Sequence, residues 1–350
     1  MVLVYRYPVK SLIGLLNRQS RACNFVWNFC NDRQKDALRF GRPWHTGFDL
    51  NNLTKGSSKE LGLHSGTVNA VCEQYAKSRS QKRRPYLRYR GKKSLGWVPL
   101  KGWELKREGD AFRFAGNTFR VFHSRALPEG KIKDGTNFSR DARGNWFLNI
   151  VIEVDTADKA ARQPLRGVGI DLGLKEFATL STGEKIEAQR IYRSMERALA
   201  TAQRAGKRRR VRAIHAKIAN RRSDFHHKLS TRIVRAFDYI AVGNVNAAGL
   251  SKTNMAKSVF DAGWSSFRTQ LAYKAMKHGA WFDEVDERFT TQICSNCGAM
   301  PNERPKGIAD LGVREWTCSV CRCVHDRDTN AALNILRRGR ATLAVGIPGL

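Results

Sequence analysis

The amino-acid sequence predicts a multidomain α/β protein. Its 350 residues are 41% apolar, which is enough to build two or more domains with cores of their own. Apolar residues recur at helical spacing in the first third of the chain, and alternating apolar and polar residues then predict a β-rich module between Trp97 and Val154. The 17 Phe, 8 Trp and 8 Tyr residues exclude a disordered basic tail, which lacks such core material.

The amino-terminal third predicts a strand followed by helices. Residues 1–9 have the composition of a short strand, and the apolar spacing from Ser11 to about Arg42 predicts one or two amphipathic helices. A second helical pattern covers Ser57 to Ala76, whose opening serines form a helix-start signal. We therefore expect this part of the chain to be mainly helical.

The second half of the chain predicts strands that alternate with helices. The run 166–180 is apolar up to Asp171, turns at Gly173 and continues as a second strand. The elements expected after it are a basic helix or helix pair at 191–230, a strand at 238–242, a helix at 265–279 and a strand at 280–289.

The charge of the chain predicts a nucleic-acid partner. The 63 Lys and Arg residues outnumber the 31 Asp and Glu residues and give a net charge of +32, which a polyanion neutralises best. Two segments concentrate this charge: residues 78–93, where Tyr86 and Tyr89 suit base stacking, and residues 191–230. A solvated loop and a surface helix, charged only for solubility, are the plainer interpretations. The candidate nucleic-acid-binding residues are Lys82, Arg83, Arg84, Arg88, Arg90, Lys207, Arg208, Arg209, Arg210, Arg212, Lys217, Arg222 and Lys228.

Nothing in the sequence predicts a membrane span or a secretion signal. Nowhere do 18 apolar residues follow one another, and cations such as Arg6 and Lys10 interrupt the apolar residues at the amino terminus. We therefore expect a cytoplasmic, nucleoid-associated protein without a membrane partner, in which thiols stay reduced. The sequence does not indicate whether the chain associates with itself.

Five of the eight cysteines lie within residues 294–323 and predict a metal site rather than a disulfide framework. They include two C-x-x-C pairs separated by twenty residues, and four thiolates at this spacing can close a tetrahedral Zn²⁺ site with no open position. We therefore expect a structural zinc ion that helps this segment fold. Cys323 could replace Cys321 or stay free, and the four expected ligands are Cys294, Cys297, Cys318 and Cys321.

Two acidic residues stand where a catalytic metal site could form. Asp171 ends an apolar strand, and Asp328 opens a helical pattern far downstream. A carboxylate at the end of a buried strand calls for a cation, and Mg²⁺ prefers oxygen ligands. Two Mg²⁺ ions held by shared carboxylates can clamp the attacking and leaving oxygens of a phosphodiester. Each acid also has a plainer interpretation, Asp171 as a turn cap and Asp328 as a helix cap.

Several segments, in order, resemble the TnpB family of transposon-encoded proteins: GIDLGLKEFATLSTG, FDYIAVGNVNAAGL with AKSVFDAGWSSFRTQLAYKA, and TTQICSNCG with TCSVCRCVHDRDTNAALNI. The resemblance covers nearly the whole chain and is densest from residue 166 to 338. It implies a bacterial or archaeal RNA-guided DNA endonuclease, related to the type V CRISPR effectors. Such a protein binds a transposon-derived guide RNA and double-stranded target DNA, and it recognises a short motif beside the target. Asn28, Lys55 and Ser78 are candidates for positions near that motif or the guide.

The resemblance also implies the domain organisation. It predicts a RuvC-like nuclease domain of RNase H fold at 161–290 and 326–350, with a zinc ribbon inserted at 291–325. It further predicts an amino-terminal β-barrel wedge domain at 1–9 and 96–160, interrupted by a helical recognition lobe at 10–95.

By the same resemblance, Asp171 and Asp328 match the first and third RuvC acids, with Asp326 a close alternative to Asp328. The second acid departs from the family pattern, because Gly243 stands where the family places Glu. The missing carboxylate could come from the next strand, since neighbouring strands lie about 4.8 Å apart and Gly243 leaves space.

Glu287 is the expected replacement, because it is nearest the end of the strand at 280–289. Asp286, one residue away, should point to the other face, and Glu284 is the alternative donor. With this acid in place, the protein is expected to bind two catalytic Mg²⁺ ions and cut DNA by hydrolysis.

Other functions stay open at this point. If Gly243 marks an inactive site, the protein is an RNA-guided DNA-binding repressor that does not cut. A strand transferase would need an activated Tyr or Ser nucleophile, and no such pattern is present. A plain zinc-ribbon DNA-binding protein would leave the two acids unexplained.

Overall fold

The computed structural model describes residues 1–155, 166–306, 310 and 312–346. The chain forms two compact units, Met1–Asp155 and Thr156–Leu350. The predicted boundary between the wedge and nuclease domains, at 160 and 161, lies outside the described residues. So do 307–309 and 311 of the predicted zinc ribbon and 347–350 of the predicted nuclease domain. In the described part of the chain, no helix combines the length and the apolar character that crossing a membrane requires.

The first unit contains three α-helices, one short 3-10 helix (Gly102–Glu104) and eight strands. In chain order the α-helices and strands are β1 (Val2–Pro8), α1 (Ile13–Arg39), α2 (Gly47–Leu53), α3 (Ser65–Gln81), β2 (Trp97–Pro99), β3 (Lys106–Glu108), β4 (Ala111–Phe114), β5 (Asn117–Arg120), β6 (Lys131–Ile132), β7 (Asn137–Arg140) and β8 (Trp146–Glu153). One antiparallel sheet has the order β1-β8-β7-β2, with β6 also paired to β8, and a second has the order β3-β4-β5. Alternate residues of β1 and β8 are buried, as the predicted period of two requires.

The structure corrects the start of the second predicted helix. The expectation placed it at Ser57, but α3 begins at Ser65. Gly62 has a φ of +60°, a conformation that interrupts a helix, and the His64 ring accepts a hydrogen bond from the Gly66 amide as a cap. Helix α2 was missed, because a seven-residue helix shows too little periodicity to be recognised.

The second unit is built around one mixed sheet. Its elements are β9 (Gly167–Leu172), β10 (Glu176–Leu180), β11 (Lys185–Glu187), α4 (Ile191–Arg204), α5 (Arg208–Ala236), β12 (Tyr239–Gly243), α6 (Ala247–Leu250), α7 (Ala256–Ala262), α8 (Trp264–His278), β13 (Trp281–Val285), β14 (Glu315–Thr317), β15 (Val324–Asp326) and α9 (Arg327–Gly346). The strand order is β11-β10-β9-β12-β13. Strands β9, β12 and β13 run parallel, whereas β10 and β11 are antiparallel to their neighbours.

Helices cover both faces of this sheet. On one face, Ile170 and Val242 pack with Ile233 of α5 and Phe267 of α8 in a large apolar core. On the other face, α9 lies so close to β9 that a Cβ on Gly169 would come within 2.0 Å of the Ala332 carbonyl oxygen. Glycine is therefore required there, and the start of α9 is held against the end of β9.

Candidate functional site

Three acidic residues share the face of the sheet that α9 covers. Because side chains alternate along a strand, Asp171 lies on the same face as Gly169. Ala241 of β12 and Val285 of β13 both pack with Ile335 of α9. Gly243 lies on the same face of β12 as Ala241, because it is two residues further along the strand. Two residues beyond Val285, Glu287 continues this alternation. Asp328 lies in the first turn of α9, so all three acids reach the same end of the sheet.

The Glu287 side chain fills the space that Gly243 leaves open. Val242 pairs with Ile170, so Gly243 lies beside Asp171, and Gly243 itself pairs with Val285 on the other side. A Cβ built on Gly243 would lie 3.0 Å from Glu287 Oε2 and 3.4 Å from Glu287 Cβ. The Glu287 carboxylate therefore stands against the position from which a side chain at residue 243 would start.

The three carboxylates interact electrostatically. Burial raises the pKa of Asp171 well above its usual value, and the charges of Asp328 and Glu287 raise it further, while Arg327 lowers it. Burial also raises the pKa of Glu287, although Arg268 opposes the effect. Like charges gathered in a buried place disfavour ionisation unless a cation joins them. This oxygen-rich donor set fits a hard divalent cation such as Mg²⁺.

The neighbouring acids have other partners. Asp326 Oδ2 lies 2.6 Å from Lys185 Nζ, and its Oδ1 accepts the Thr329 amide at 2.9 Å, so Asp326 caps α9. Glu284 pairs with Arg268 at 3.1 Å, and Asp286 is exposed. The plainer interpretation of Asp328 as a helix cap therefore applies to Asp326 instead.

The sequence interpretation missed Arg314 as a partner of Asp328. Its Nη1 lies 3.2 Å from Asp328 Oδ2, and the Arg314 carbonyl accepts the Arg327 amide at 2.7 Å. The two residues are fourteen positions apart across the cysteine hairpin, and no local pattern signals such a contact. Arg314 thus neutralises Asp328 when no other cation is bound to it.

The four predicted cysteines come together as a candidate metal centre. Among the described residues, the donor atoms of these four cysteines all lie within 4.8 Å of one another. The carboxylate oxygens of Asp171, Glu287 and Asp328 do not meet this distance criterion. The Cys294–Cys321 and Cys297–Cys318 Sγ distances are 3.6 and 3.8 Å. A tetrahedral zinc ion with bonds of about 2.3 Å requires about 3.8 Å between sulfurs, so the cluster fits zinc.

Two neighbours of this cluster clarify its composition. Cys323 lies outside the four-cysteine set, so Cys321 rather than Cys323 completes it. His325, which the sequence interpretation missed, has its Nε2 3.0 Å from Cys294 Sγ, and its ring packs against that of Trp316 at a tilt of 39°. In the tautomer with a proton on Nε2, it donates a hydrogen bond to the thiolate, a common second partner of zinc-bound sulfur.

Most of the candidate nucleic-acid-binding residues are exposed, and three of them also have partners within the chain. The Arg90 guanidinium donates to Asn24 and to the Leu95 carbonyl, Arg222 donates to the Phe260 carbonyl, and Lys228 pairs with Asp224 at 2.8 Å. The exposed candidates are Lys82, Arg83, Arg84, Arg88, Lys207, Arg208, Arg209, Arg210, Arg212, Lys217 and Lys228. Their role stays a prediction.

The three residues expected near the recognised motif have different environments. The Asn28 side chain exchanges hydrogen bonds with the backbone of Arg90, at 2.8 Å in each direction. Ser78 accepts a hydrogen bond from Gln74, and Lys55 is exposed. Asn28 therefore holds the basic segment against α1, and its contribution to recognition stays a prediction, as do those of Lys55 and Ser78.

Two family models match the chain. The model described as "Probable transposase" matches residues 149–254, and the model described as "Cas12f1-like, TNB domain" matches residues 264–335. The second match includes the four cysteines, Glu287 and Asp328, whereas the first includes Asp171 and Gly243.

Curated relatives agree with these matches. A protein of Streptomyces pristinaespiralis is 39% identical over 237 residues, covering 64% of this chain and 57% of its own length. A protein of Escherichia coli K12 is 24% identical over 372 residues, covering 95% of this chain and 90% of its own. Both are named "Putative RNA-guided DNA endonuclease", the second with the suffix InsQ.

A third relative carries the family name itself. The "TnpB-like protein L79" of Acanthamoeba polyphaga mimivirus is 34% identical over 139 residues, covering 37% of this chain and 25% of its own length. The chain thus spans little more than half of the Streptomyces relative and a quarter of the viral one. Both family models and these relatives therefore agree that the chain is similar to TnpB-like and other transposon-encoded proteins.

Proposed function

We propose that this chain is an RNA-guided DNA endonuclease whose acidic site consists of Asp171, Glu287 and Asp328. The observation that carries the proposal is the Glu287 carboxylate against Gly243, since it supplies an acid where this chain lacks the Glu of the family pattern. The raised pKa of Asp171, caused by burial and then by Asp328 and Glu287, supports a site that a cation would complete. The names of the Streptomyces and Escherichia coli relatives support the same activity.

The proposed domain organisation follows the predicted one. In the sheet order β11-β10-β9-β12-β13, β11, β10 and β9 pair antiparallel in succession, and β12 and β13 run parallel to β9. This arrangement supports a RuvC-like domain of RNase H fold at 161–290 and 326–350. The cysteine cluster supports a zinc ribbon at 291–325. The sheets around α1 and α3 support a wedge domain at 1–9 and 96–160 and a recognition lobe at 10–95.

In the proposed mechanism, the residues of this chain bind the metal ions and the nucleic-acid backbones. Asp171, Glu287 and Asp328 would hold two Mg²⁺ ions, which when bound supply an activated water and charge neutralisation at the scissile phosphate. Arg314 Nη1 lies 3.2 Å from Asp328 Oδ2, so it would compete with a bound cation for the negative charge of this carboxylate. The guide RNA selects the target by base pairing, and the exposed cations hold the nucleic-acid backbones. The four cysteines would hold a structural Zn²⁺ ion.

A guided cleavage assay tests the proposal. The protein is co-expressed with its native flanking RNA and mixed with a plasmid that carries a matching target, with Mg²⁺ or with EDTA. We expect Mg²⁺-dependent cutting by the unaltered protein and a loss of more than about 100-fold in rate for Glu287→Gln, since even an outer partner of a metal ligand is worth 10- to 100-fold. Glu284→Gln removes the same charge from the other face of β13 and should keep most of the activity.

A relocation variant strengthens this test. The double variant G243E with E287A returns a carboxylate to residue 243, and removing the Glu287 carboxylate clears the 3.0 Å contact that would otherwise obstruct it. Partial recovery of cutting over E287A alone is expected. Full activity of Glu287→Gln would instead show that Glu287 is not a ligand of the site.

The second candidate function is an RNA-guided repressor that binds DNA without cutting it. Gly243 is the observation that favours it, because the family acid is absent from that position. Tight guided binding with no cutting by the unaltered protein, at any Mg²⁺ concentration, would establish this function and overturn the nuclease proposal.

A further inference from the structure

Two buried asparagines of α9 tie the acidic site to the cysteine cluster. We propose that Asn330 and Asn334 are positioning residues that hold Glu287 in reach of Asp328, an inference that rests on the proposed nuclease site. They act on the segment 290–295, which joins Glu287 to Cys294. Neither residue touches a carboxylate of the site, so their effect passes through this segment.

Asn330 makes three hydrogen bonds to that segment. Its Nδ2 donates to the carbonyls of Thr290 at 3.1 Å and Ile293 at 2.8 Å, and its Oδ1 accepts the Ser295 amide at 2.8 Å. The side chain is fully buried, at 0% exposure. A carboxamide is required, because these groups need a donor and an acceptor on one side chain.

Asn334 repeats the contact one turn later. Its Nδ2 donates to the same two carbonyls, Thr290 at 2.8 Å and Ile293 at 2.6 Å. Residues four apart lie on one face of a helix, so both carboxamides donate to the carbonyls of the same turn of the chain. We call this pair of asparagines the asparagine clamp. Each carbonyl oxygen has two lone pairs and can accept from both asparagines.

The clamped segment fixes the position of Glu287. Glu287 lies two residues beyond the end of β13, where the strand ladder no longer holds it. Its carbonyl accepts hydrogen bonds from the Thr290 hydroxyl at 2.7 Å and the Thr290 amide at 3.1 Å. Asp328 precedes Asn330 by two residues on the same helix. The clamp therefore joins the turn that carries Glu287 to the helix turn that carries Asp328.

The chemistry of the clamp defines the variants. Asn330→Asp keeps the shape and the acceptor for Ser295, but it aims an oxygen at two carbonyl oxygens and loses both donated bonds. Asn334→Ala removes two donated bonds and adds no charge. A carboxylate added near the site would by charge alone tighten cation binding, so weaker binding by Asn330→Asp cannot be an effect of charge.

The experiment measures Mn²⁺ binding to the full-length protein without nucleic acid, from the free-ion signal in electron paramagnetic resonance. We expect Asp171→Asn to abolish the tight site and each asparagine variant to weaken it by about 10-fold, the lower end of the range for losing a direct hydrogen-bond partner of a ligand, because the asparagines act one contact further away. Zinc content and the unfolding midpoint should stay near those of the unaltered protein in at least one variant. High Mg²⁺ should then rescue its cleavage rate. Asn302→Asp, the same change at an exposed residue, should bind Mn²⁺ as the unaltered protein does.

Three outcomes would overturn the inference. Unchanged Mn²⁺ affinity in both asparagine variants would show that the clamp does not position the site. Loss of zinc together with Mn²⁺ in both would mean that the asparagines serve the folding of the cysteine segment. Equal Mn²⁺ binding by the unaltered protein and Asp171→Asn would refute the acidic site itself and the clamp with it, which separates that failure from the first.

Discussion

At the scale of single residues, Gly243 and Glu287 form a complementary pair. The missing side chain of one leaves the space that the carboxylate of the other occupies, with Oε2 3.0 Å from where a Cβ would be. Such an exchange is possible because Gly243 pairs with Val285, the last residue of the adjacent parallel strand, and Glu287 follows Val285 by two residues on the α9 face. A catalytic carboxylate is defined by where its oxygens lie, so a different strand can supply it.

A buried histidine makes stability depend on pH. His226 on α5 is 1% exposed, its Nε2 lies 2.9 Å from the Ala262 carbonyl, and burial lowers its pKa to about 4. The unfolded chain binds a proton near pH 6.5, so between pH 6.5 and 4 the unfolded state holds more protons. This contribution is complete above pH 6.5 and is lost as the pH falls toward 4.

We expect His226 to remove about 2 kcal/mol from the free energy of unfolding between pH 7.5 and 5. Urea unfolding followed by circular dichroism at both pH values measures the change. Subtracting the same difference for His226→Asn isolates the contribution of this group from that of the carboxylates. An equal pH dependence in the variant would show that His226 does not carry it.

The residue scale also shows how far the sequence could predict the site. Alternation along a strand favours Glu287 over Asp286, and in the structure Asp286 is exposed whereas Glu287 lies against Gly243. Arg314, His325 and the asparagine clamp could not be found in this way. Their partners lie far along the chain, and only the folded hairpin brings them together.

At the scale of elements, most of the expected strands and helices are present. The strands β9, β10 and β12 follow from short apolar runs bounded by turn residues, a pattern typical of buried strands. The start of α3 was placed eight residues early, since serines are common in both loops and helix caps. The order of the strands was implied by the family resemblance and not by the pattern.

The segment that carries the four clustered cysteines is expected to need zinc for its fold. We expect the purified protein to contain one zinc ion per chain and Cys318→Ser to lose it, because Cys318 is a buried member of the cluster. Metal analysis by mass spectrometry measures the content, and limited proteolysis should cut the segment between Cys297 and Cys318 faster in the variant.

Cys323→Ser is the matched control for this prediction. Cys323 belongs to the same hairpin but lies outside the four-cysteine set, so its loss should leave the zinc content unchanged. Zinc loss in Cys323→Ser with retention in Cys318→Ser would mean that the ligand set differs from the one the geometry favours.

At the scale of the whole molecule, the cations behind the net charge of +32 differ in how readily they can bind a phosphate. Some cations already face a carboxylate, such as Arg232 with Glu184 at 2.7 Å and Lys257 with Glu196 at 2.8 Å. Others cluster on the surface, and the densest run is exposed at the start of α5, from Lys207 to Arg210. Cations without a nearby acid gain most from a phosphate, because they have no existing partner to give up.

This difference predicts the salt dependence of nucleic-acid binding. Neutralising K207Q, R208Q, R209Q and R210Q together should weaken guide RNA binding and reduce the slope of log affinity against log salt by about 3, since each phosphate contact contributes roughly 0.7 to 0.9. Filter binding at salt concentrations between about 50 and 300 mM, over which the affinity should fall steeply, measures the slope.

The control removes the same charge from cations that hold acidic partners. The four changes R113Q, K133Q, R232Q and K257Q each break an ion pair, at 3.3, 2.9, 2.7 and 2.8 Å. Each change removes one positive charge, so the control lowers the net charge as much as the first variant. It should remove few phosphate contacts, because these cations already hold a carboxylate. Equal slopes for the two variants would mean that total charge drives binding, whereas a selective loss at Lys207–Arg210 would assign part of the interface to the start of α5.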